Sequence, residues 1–218
     1  MIKKIKKNLS LINNFEIENN FYYYSHISRL NKIINHYEML KKIKNVNGDI
    51  VELGVFKGIS IIRLAQIRDS LKIKKKIYGF DSFGKFPNSK QSSNYDKNFP
   101  QIFDNKIGSS IEIKKLKKII QKKGLKNIEL IKGNIKFTLE RLIKNKIKIS
   151  FLHLDLDLEE ITLYSLKKIY KNISKNGVIV IDDFNIHPGI NKAIKKFFGK
   201  IKIYKPIIGN NPHFIIKN

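Results

Sequence analysis

Apolar residues recur along the chain with two different periods, and the two kinds of segment alternate. Short apolar runs typical of buried strands lie at 48–54, 76–81, 127–132, 148–155 and 178–182. Helical spacing of apolar residues follows them at 59–71, 110–123, 136–145, 159–174 and 189–198. Two more short strands are predicted near 201–205 and 213–217. This alternation predicts an α/β fold with a parallel sheet covered by helices on both faces.

Two segments depart from this alternation. Residues 28–44 have helical spacing ahead of the first strand, on a face formed by Leu30, Ile33, Ile34, Tyr37, Leu40 and Lys41. From Phe83 to about Ser109 the periodicity is lost, which is typical of a lid or a binding loop. The chain has no internal repeat and no linker rich in Pro, Gly or Ser. We predict an N-terminal helical or lid segment at 1–45 and one domain at 46–218, with a variable substrate loop at 84–108.

Two of the predicted strands end in pairs of acids, within His153–Asp157 and at Asp182-Asp183. If the strands are neighbours, these carboxylates converge, and two of them about 5 Å apart repel by roughly 3 kcal/mol at an effective dielectric of 20. The flanks offer no obvious internal lysine, since Lys167 and Lys168 lie along the next predicted helix. A divalent cation with oxygen ligands is the natural partner for such a cluster. The sequence therefore predicts an active site at this edge of the sheet.

A glycine turn follows the first predicted strand and favours a nucleoside ligand. Gly54 and Gly58 allow a tight turn and a close approach to the main chain, at a helix N-terminus that offers free amide donors. The spacing is not the G-x-G-x-x-G of dinucleotide folds, so a pyrophosphate is not favoured. Asp81 ends the second strand, where a carboxylate can accept both hydroxyls of a ribose. For the turn alone, an ordinary tight corner remains an equal alternative.

The charge of the chain is high, but its pattern does not favour a specific nucleic-acid partner. Lys and Arg number 44 against 18 Asp and Glu, which gives a net charge of +26. Forty of these 44 residues are lysine, and Lys, Ile and Asn together fill 104 of 218 positions, a bias expected from A/T-rich codons. The lysines are scattered from residue 3 to residue 217, whereas phosphate recognition favours arginine on one face.

The absence of cysteine and the lack of a long apolar segment indicate the cellular compartment. The chain has no cysteine, which excludes disulfides and thiolate metal sites and fits a reducing compartment. The basic start has too short an apolar stretch for a signal peptide, and no window approaches the ~18 uncharged apolar residues of a membrane helix. We expect a cytoplasmic protein without a membrane partner.

Several motifs in chain order carry a family resemblance. They are Val51–Gly58 (VELGVFKG), Tyr78–Phe83 (YGFDSF) with Phe86-Pro87, Leu154–Asp157 (LDLD), Gly177–Asp183 (GVIVIDD), Pro188-Gly189 leading to Ala193 and Phe197, and Phe214–Lys217 (FIIK). This set resembles class I S-adenosylmethionine-dependent methyltransferases of the macrocin O-methyltransferase (TylF-like) family, from about residue 46 to the end. The resemblance implies a Rossmann-like class I fold with a seven-stranded, mostly parallel sheet and a last antiparallel strand.

The resemblance also implies roles for individual residues. It assigns S-adenosylmethionine binding to one set, namely Glu52, Gly54, Gly58, Ser60, Asp81, Ser82, Gly133, Asn134 and Asp155. It assigns Mg²⁺ binding to Asp155, Asp182 and Asp183. Asp157 is the first candidate for the catalytic base and His187 the second, although a loop histidine before Pro188 is the more ordinary explanation of His187.

The expected reaction is Mg²⁺-assisted O-methylation of a small-molecule or carbohydrate acceptor. The resemblance points to a sugar hydroxyl on a glycosylated metabolite or polysaccharide precursor, and to a possible homo-oligomer. Two alternatives remain open. An RNA methyltransferase would concentrate lysines around the carboxyl ends of the strands, and a non-catalytic basic nucleic-acid-binding module would have lost Glu52, Asp81 or the acid pairs.

Overall fold

The computed structural model describes the backbone of residues 2–86 and 94–218, with side chains at 13–86 and 96–218. The described residues form one six-stranded sheet in the order β3-β2-β1-β4-β5-β6. Its strands are β1 Asp49–Leu53, β2 Ile77–Asp81, β3 Ile128–Lys132, β4 Ile149–Leu154, β5 Ile173–Ile181 and β6 His213–Ile216. All neighbouring pairs are parallel except β5 and β6, which are antiparallel. Each acid-tipped strand thus lies beside the other, as β4 and β5.

Helices pack on both faces of this sheet. Their bounds are α1 Ile2–Tyr24, α2 Ile27–Lys42, α3 Ile59–Ser70, α4 Asn94–Lys106, α5 Ile113–Lys122, α6 Ile135–Thr138, α7 Glu140–Lys144, α8 Glu159–Ile169 and α9 Pro188–Phe198. A 3₁₀ turn at Tyr170–Asn172 leads into β5. One core layer contains α2, α3 and α5, with Leu40, Leu64 and Leu116 against the sheet. The other contains α6 to α9, with Leu166 and Ile194. No helix among the described residues has the length and apolar character needed to cross a bilayer.

The prediction of seven strands was wrong for the part of the chain that the structure describes. The segment predicted as a strand near 201–205 makes a single isolated bridge, between Tyr204 and Phe214. The backbone N–H and C=O of Tyr204 both bond to Phe214, at 2.8 and 3.1 Å. Pro206 follows two residues later and has no N–H to donate, so the ladder cannot continue in that direction.

The segment predicted as a patternless loop contains a helix. Helix α4 occupies half of the predicted substrate loop, and Pro100 lies inside it. Few residues of α4 are apolar, and the proline argued against a helix. Phe99 and Phe103, spaced by four, lie on one face and contact each other at 5.4 Å between ring centroids. Pro87 and the rest of 87–93 lie outside the described residues.

The buried face of α2 differs from the predicted one. The residues of α2 that are buried are Asn35, His36, Met39 and Leu40, whereas Tyr37 is 39% exposed. The prediction failed because a buried asparagine and a buried histidine look polar in the sequence. Asn35 is satisfied by the backbone of the C-terminal loop: its Oδ1 accepts from the N–H of Ile207 at 2.7 Å, and its Nδ2 donates to Ile208 at 2.8 Å.

His36 makes folding sensitive to acid. Burial holds the pKa of His36 well below its usual 6.5, so the folded state keeps this imidazole neutral while the unfolded chain protonates it. Its contribution to stability is therefore intact above pH 6.5 and decreases as the pH falls below it, by up to about 2 kcal/mol at pH 5. We expect His36→Leu to lose less unfolding free energy between pH 7 and pH 5 than the wild type, measured by urea denaturation. Equal losses in the two proteins would contradict this.

Candidate active site at the carboxyl ends of the strands

A cavity of about 710 Å³ opens at the carboxyl ends of β1, β2, β4 and β5. Ten of the predicted site residues line it, namely Gly54, Asp81, Ser82, Gly133, Asn134, Asp155, Asp157, Asp182, Asp183 and His187. Glu52, Gly58 and Ser60 do not line it. The cavity has the size of a small-molecule site, and most of its lining residues lie in loops between strands and helices.

Two glycines shape the turn after β1 for different reasons. Gly54 has φ +92°, and a Cβ there would lie 1.8 Å from the carbonyl oxygen of Asp155, so only glycine allows the turn to pass so close to β4. Gly58 has φ +81° at the start of α3, where a Cβ would lie 2.4 Å from the side chain of Leu116. Gly54 therefore brings the backbone to the cavity wall, while Gly58 allows α5 to pack against the turn.

Asp81 holds the turn together through its carboxylate. Its Oδ2 accepts from the N–H groups of Val55 and Phe56 at 3.0 and 2.9 Å. Its Oδ1 accepts from the N–H of Phe83 at 2.6 Å and from the hydroxyl of Ser110 at 2.8 Å. A carboxylate offers about four acceptor positions, and these four donors use them, with the hydroxyl of Ser82 as a longer fifth contact at 3.5 Å from Oδ1. A ribose can bond to Asp81 only if one donor leaves, and Ser110 has an alternative acceptor in the carbonyl of Phe56 at 2.8 Å.

Gly133 and Asn134 form the wall beside Asp81. The N–H of Gly133 donates to the carbonyl of Asp81 at 2.9 Å. Asn134 caps α6, with its Oδ1 accepting from the N–H of Lys136 at 2.9 Å. Both residues, which the resemblance assigns to S-adenosylmethionine binding, line the cavity.

Glu52 and His153 form a buried pair behind the cavity. Both side chains are fully buried, and Nδ1 of His153 lies 3.0 Å from Oε1 of Glu52. Burial alone would lower the pKa of His153, but hydrogen bonds and charges from Asp182 and Glu52 outweigh it and raise the pKa to about 10. A positive imidazolium therefore connects the β1 acid with the acids of β4 and β5. Glu52, predicted to bind the cofactor, does not line the cavity in this structure and instead contacts His153 behind it.

The four carboxylates converge as the sequence predicted. Burial and the charges of its neighbours hold the pKa of Asp155 well above its usual value. The same causes raise the pKa of Asp157 to about 7 and raise that of Asp183. The pKa of Asp182 is lowered, because hydrogen bonds and charges from His153 and Lys32 outweigh its burial. Burial and mutual repulsion thus favour the protonated forms of Asp155 and Asp157, and a bound cation would favour their charged forms.

A lysine that the sequence analysis missed partly neutralises this cluster. Lys32, on α2, places its Nζ 2.8 Å from Oδ2 of Asp182 and 3.8 Å from Oδ1 of Asp183. Asn211 donates its side-chain amide to Oδ1 of Asp182 at 2.7 Å and to Oδ1 of Asp183 at 2.8 Å. The expectation concerned only the flanks of the acid pairs, and it therefore missed a lysine from a distant helix. Lys32 lies 150 positions from Asp182, and only the packing of α2 brings the two together.

The donor set fits a hard divalent cation. Ligand atoms of His153, Asp155 and Asp182 lie within 4.8 Å of one another, as do those of Asp157, Asp183 and His187. A protonated His153 has no free nitrogen for a metal, so Asp155 and Asp182 are the available ligands of the first group. Carboxylate oxygens are the ligands that Mg²⁺ prefers in proteins. Burial and the neighbouring acids raise the pKa of Asp155, and a bound cation would oppose this shift. The three predicted ligands are divided between the two groups, with Asp183 in the second. The Mg²⁺ role of these residues stays a prediction.

The two candidate bases lie together at the mouth of the cluster. Nε2 of His187 is 3.8 Å from Oδ1 of Asp157 and 3.6 Å from Oδ2 of Asp183. Asp157 and Asp183 both adopt left-handed backbone, at φ +60° and +53°. Such conformations cost energy outside glycine and occur often at functional sites, where they aim a side chain.

An aromatic group from the predicted substrate loop covers the cavity. Phe86, Phe99 and Phe103 line it together, with ring centroids 5.4 to 5.9 Å apart. The ring of His187 contacts Phe99 edge-on at 5.2 Å. The spacing of Phe99 and Phe103 was the sequence signal for this wall, but the loss of periodicity around it concealed the helix.

A comparison of the sequence with protein families found a matching family model. The family model described as Macrocin-O-methyltransferase (TylF) matches residues 24–211. The chain belongs to the TylF family. The match includes α2 and Asn211, and so covers every residue described above in the acid cluster.

This TylF-family chain is similar, at low identity, to a curated methyltransferase. A curated relative from Streptomyces olivaceus, 8-demethyl-8-(2,3-dimethoxy-α-L-rhamnosyl)-tetracenomycin-C 4'-O-methyltransferase, is 25% identical over 165 residues. The match covers 74% of this chain and 62% of that relative, so the chain spans less than two thirds of the relative's length.

Solved structures confirm the fold of the TylF-family chain. The calicheamicin methyltransferase CalS11 superposes with a TM-score of 0.78 at 21% identity, covering 93% of this chain and 85% of CalS11. The O-methyltransferase NovP gives 0.74 at 20% identity, covering 86% and 79%. The predicted family and the Rossmann-like class I methyltransferase fold are thus confirmed, apart from the number of strands.

Proposed function

We propose that this protein transfers the methyl group of S-adenosylmethionine to a hydroxyl group, with Mg²⁺ assisting. One observation carries the proposal. A single cavity is lined both by Gly54 and Asp81, which are suited to a nucleoside, and by the carboxylates that follow β4 and β5. A donor and an acceptor can therefore meet in one enclosed space. Membership of the TylF family supports the same reaction.

Different residues would bind the cofactor, hold the metal and accept the proton. Gly54, Asp81, Gly133 and Asn134 would hold the nucleoside end of S-adenosylmethionine, which supplies a methyl group on a cationic sulfur. Asp155, Asp182 and Asp183 would hold Mg²⁺, which lowers the pKa of an alcohol and fixes its position when bound. Asp157 accepts the hydroxyl proton as the acceptor oxygen bonds to the methyl carbon and the carbon–sulfur bond breaks.

We further propose that the acceptor is a sugar hydroxyl on a glycosylated metabolite or a polysaccharide precursor. The relative from Streptomyces olivaceus is named for methylating a rhamnosyl group, which supports a sugar. Phe86, Phe99 and Phe103 offer an apolar wall for the C–H face of a sugar ring. Where no metal intervenes, the carboxylates in the cavity repel phosphate groups, which argues against an RNA backbone bound along them.

Binding and metal removal test the proposal separately. We expect calorimetry to detect S-adenosylmethionine and S-adenosylhomocysteine binding, and absence of both would contradict methyl transfer. We expect EDTA to abolish turnover on a panel of sugars and nucleotide sugars, with S-adenosylhomocysteine affinity changed by less than about threefold. Added Mg²⁺ should restore turnover. Full turnover in EDTA would remove Mg²⁺ from the proposal and leave methyl transfer standing.

A further inference from the structure

Lys32 occupies the position at which two predicted metal ligands meet. Its ammonium lies 2.8 Å from Asp182 and 3.8 Å from Asp183. The pair is well shielded, since the side chains of Lys32 and Asp182 are only 17% and 5% exposed. Lys32 also lines the cavity, so this ion pair forms part of the cavity wall rather than of the outer surface.

The contacts of Asp182 leave little room for another cation. Oδ2 of Asp182 is engaged by Lys32 at 2.8 Å and lies 3.7 Å from Nε2 of His153. Its Oδ1 accepts from the amide of Asn211 and from the N–H of Asp183. Asn211 can remain when a cation binds, because an amide neutralises no charge and a carboxylate oxygen accepts more than one bond. The ammonium of Lys32 carries a full charge and would repel a divalent ion at this distance.

We propose that Lys32 is a built-in competitor of the divalent cation at Asp182 and Asp183. This inference rests on the proposed function, because it takes these two acids to be metal ligands. The ion displaces the ammonium of Lys32 from Asp182 and takes over the neutralisation of the acids. In the metal-free protein Lys32 holds the acids in place, so the site persists but binds Mg²⁺ more weakly than its carboxylates alone would.

Calorimetric titration with Mg²⁺ tests the competition without relying on activity. We expect Lys32→Met to bind Mg²⁺ at least ~10-fold more tightly than the wild type, because the competing charge is gone. Lys32→Arg keeps the charge and should remain weak. Lys42→Met is the matched control, since it removes the same charge from an exposed position on the same helix and should change affinity less than about twofold. Circular dichroism checks that each variant folds.

Chemical labelling of the wild type provides a second measurement. With acetic anhydride and mass spectrometry, we expect Mg²⁺ to increase the acetylation rate of Lys32 several-fold, because the displaced ammonium becomes free. Lys42 should be acetylated at the same rate with and without Mg²⁺.

The outcomes separate this inference from the proposed function. Equal or weaker Mg²⁺ binding by Lys32→Met, or labelling of Lys32 unchanged by Mg²⁺, would overturn the competition and leave the metal proposal standing. Absence of Mg²⁺ binding in both the wild type and Lys32→Met would overturn the metal proposal and this inference together.

Discussion

Replacing Asp157 by asparagine should lower turnover by about 10³-fold, within the range that general base catalysis supplies. The amide keeps the size and position of the side chain but cannot accept the hydroxyl proton. Asp157 is suited to this task because it lines the cavity and is held in left-handed backbone at φ +60°. Initial rates at saturating substrates measure the effect, and calorimetry with S-adenosylhomocysteine should show an unchanged cofactor site.

His187 provides the comparison for this substitution. It lies 3.8 Å from Asp157, so either group could serve as the base on geometry alone. We expect His187→Asn to lower turnover by less than about 10-fold. A larger loss for His187→Asn than for Asp157→Asn would reverse the assignment and make the histidine the base.

Replacing Asp81 by alanine should weaken S-adenosylhomocysteine binding at least ~100-fold and should also destabilise the fold. The carboxylate accepts four hydrogen bonds from Val55, Phe56, Phe83 and Ser110. Hydrogen bonds to a charged group contribute roughly 1.5–3 kcal/mol each, and the donors left behind can recover only part of this from water. Calorimetry measures the affinity and urea denaturation the stability.

Ser110→Ala is the control for Asp81. It removes one of the four donors and leaves the carboxylate in place, so cofactor affinity should hold or rise. If Asp81→Ala unfolds, Asp81→Asn keeps the shape and one acceptor oxygen for the same titration. Reduced stability with unchanged affinity would restrict Asp81 to holding the turn, without a contact to the ribose.

The sequence alone located those strands and acidic residues that follow a local pattern. Apolar runs placed β1 to β4 within one residue at each end, since buried parallel strands need such runs, but they found only the second half of β5, which begins at Ile173. The acids that follow β4 and β5 mark the carboxyl edge. Because β4 and β5 are neighbours, the acids that follow them converge, namely Asp155, Asp157, Asp182 and Asp183.

Contacts between distant parts of the chain could not be predicted in this way. Lys32 and Asn211 reach the acid cluster through the packing of α2 and of the loop before β6, and no local period records either contact. Helix α4 was missed because its stabilising contacts are tertiary, through Phe99 and Phe103. The strand near 201–205 was overpredicted because alternating isoleucines satisfied the period while Pro206 ended the ladder.

The partners of the acid cluster are far apart in the chain, so they become available at different times during synthesis. Asp182 and Asp183 leave the ribosome almost 30 residues before Asn211, and Lys32 has by then been outside for 150 residues. Until β6 adds to the sheet, the loop that carries Asn211 cannot close over the acids. The nascent chain therefore carries an incomplete acid cluster until residues 211–216 have emerged, because the amide donors of Asn211 to Asp182 and Asp183 arrive only with this segment.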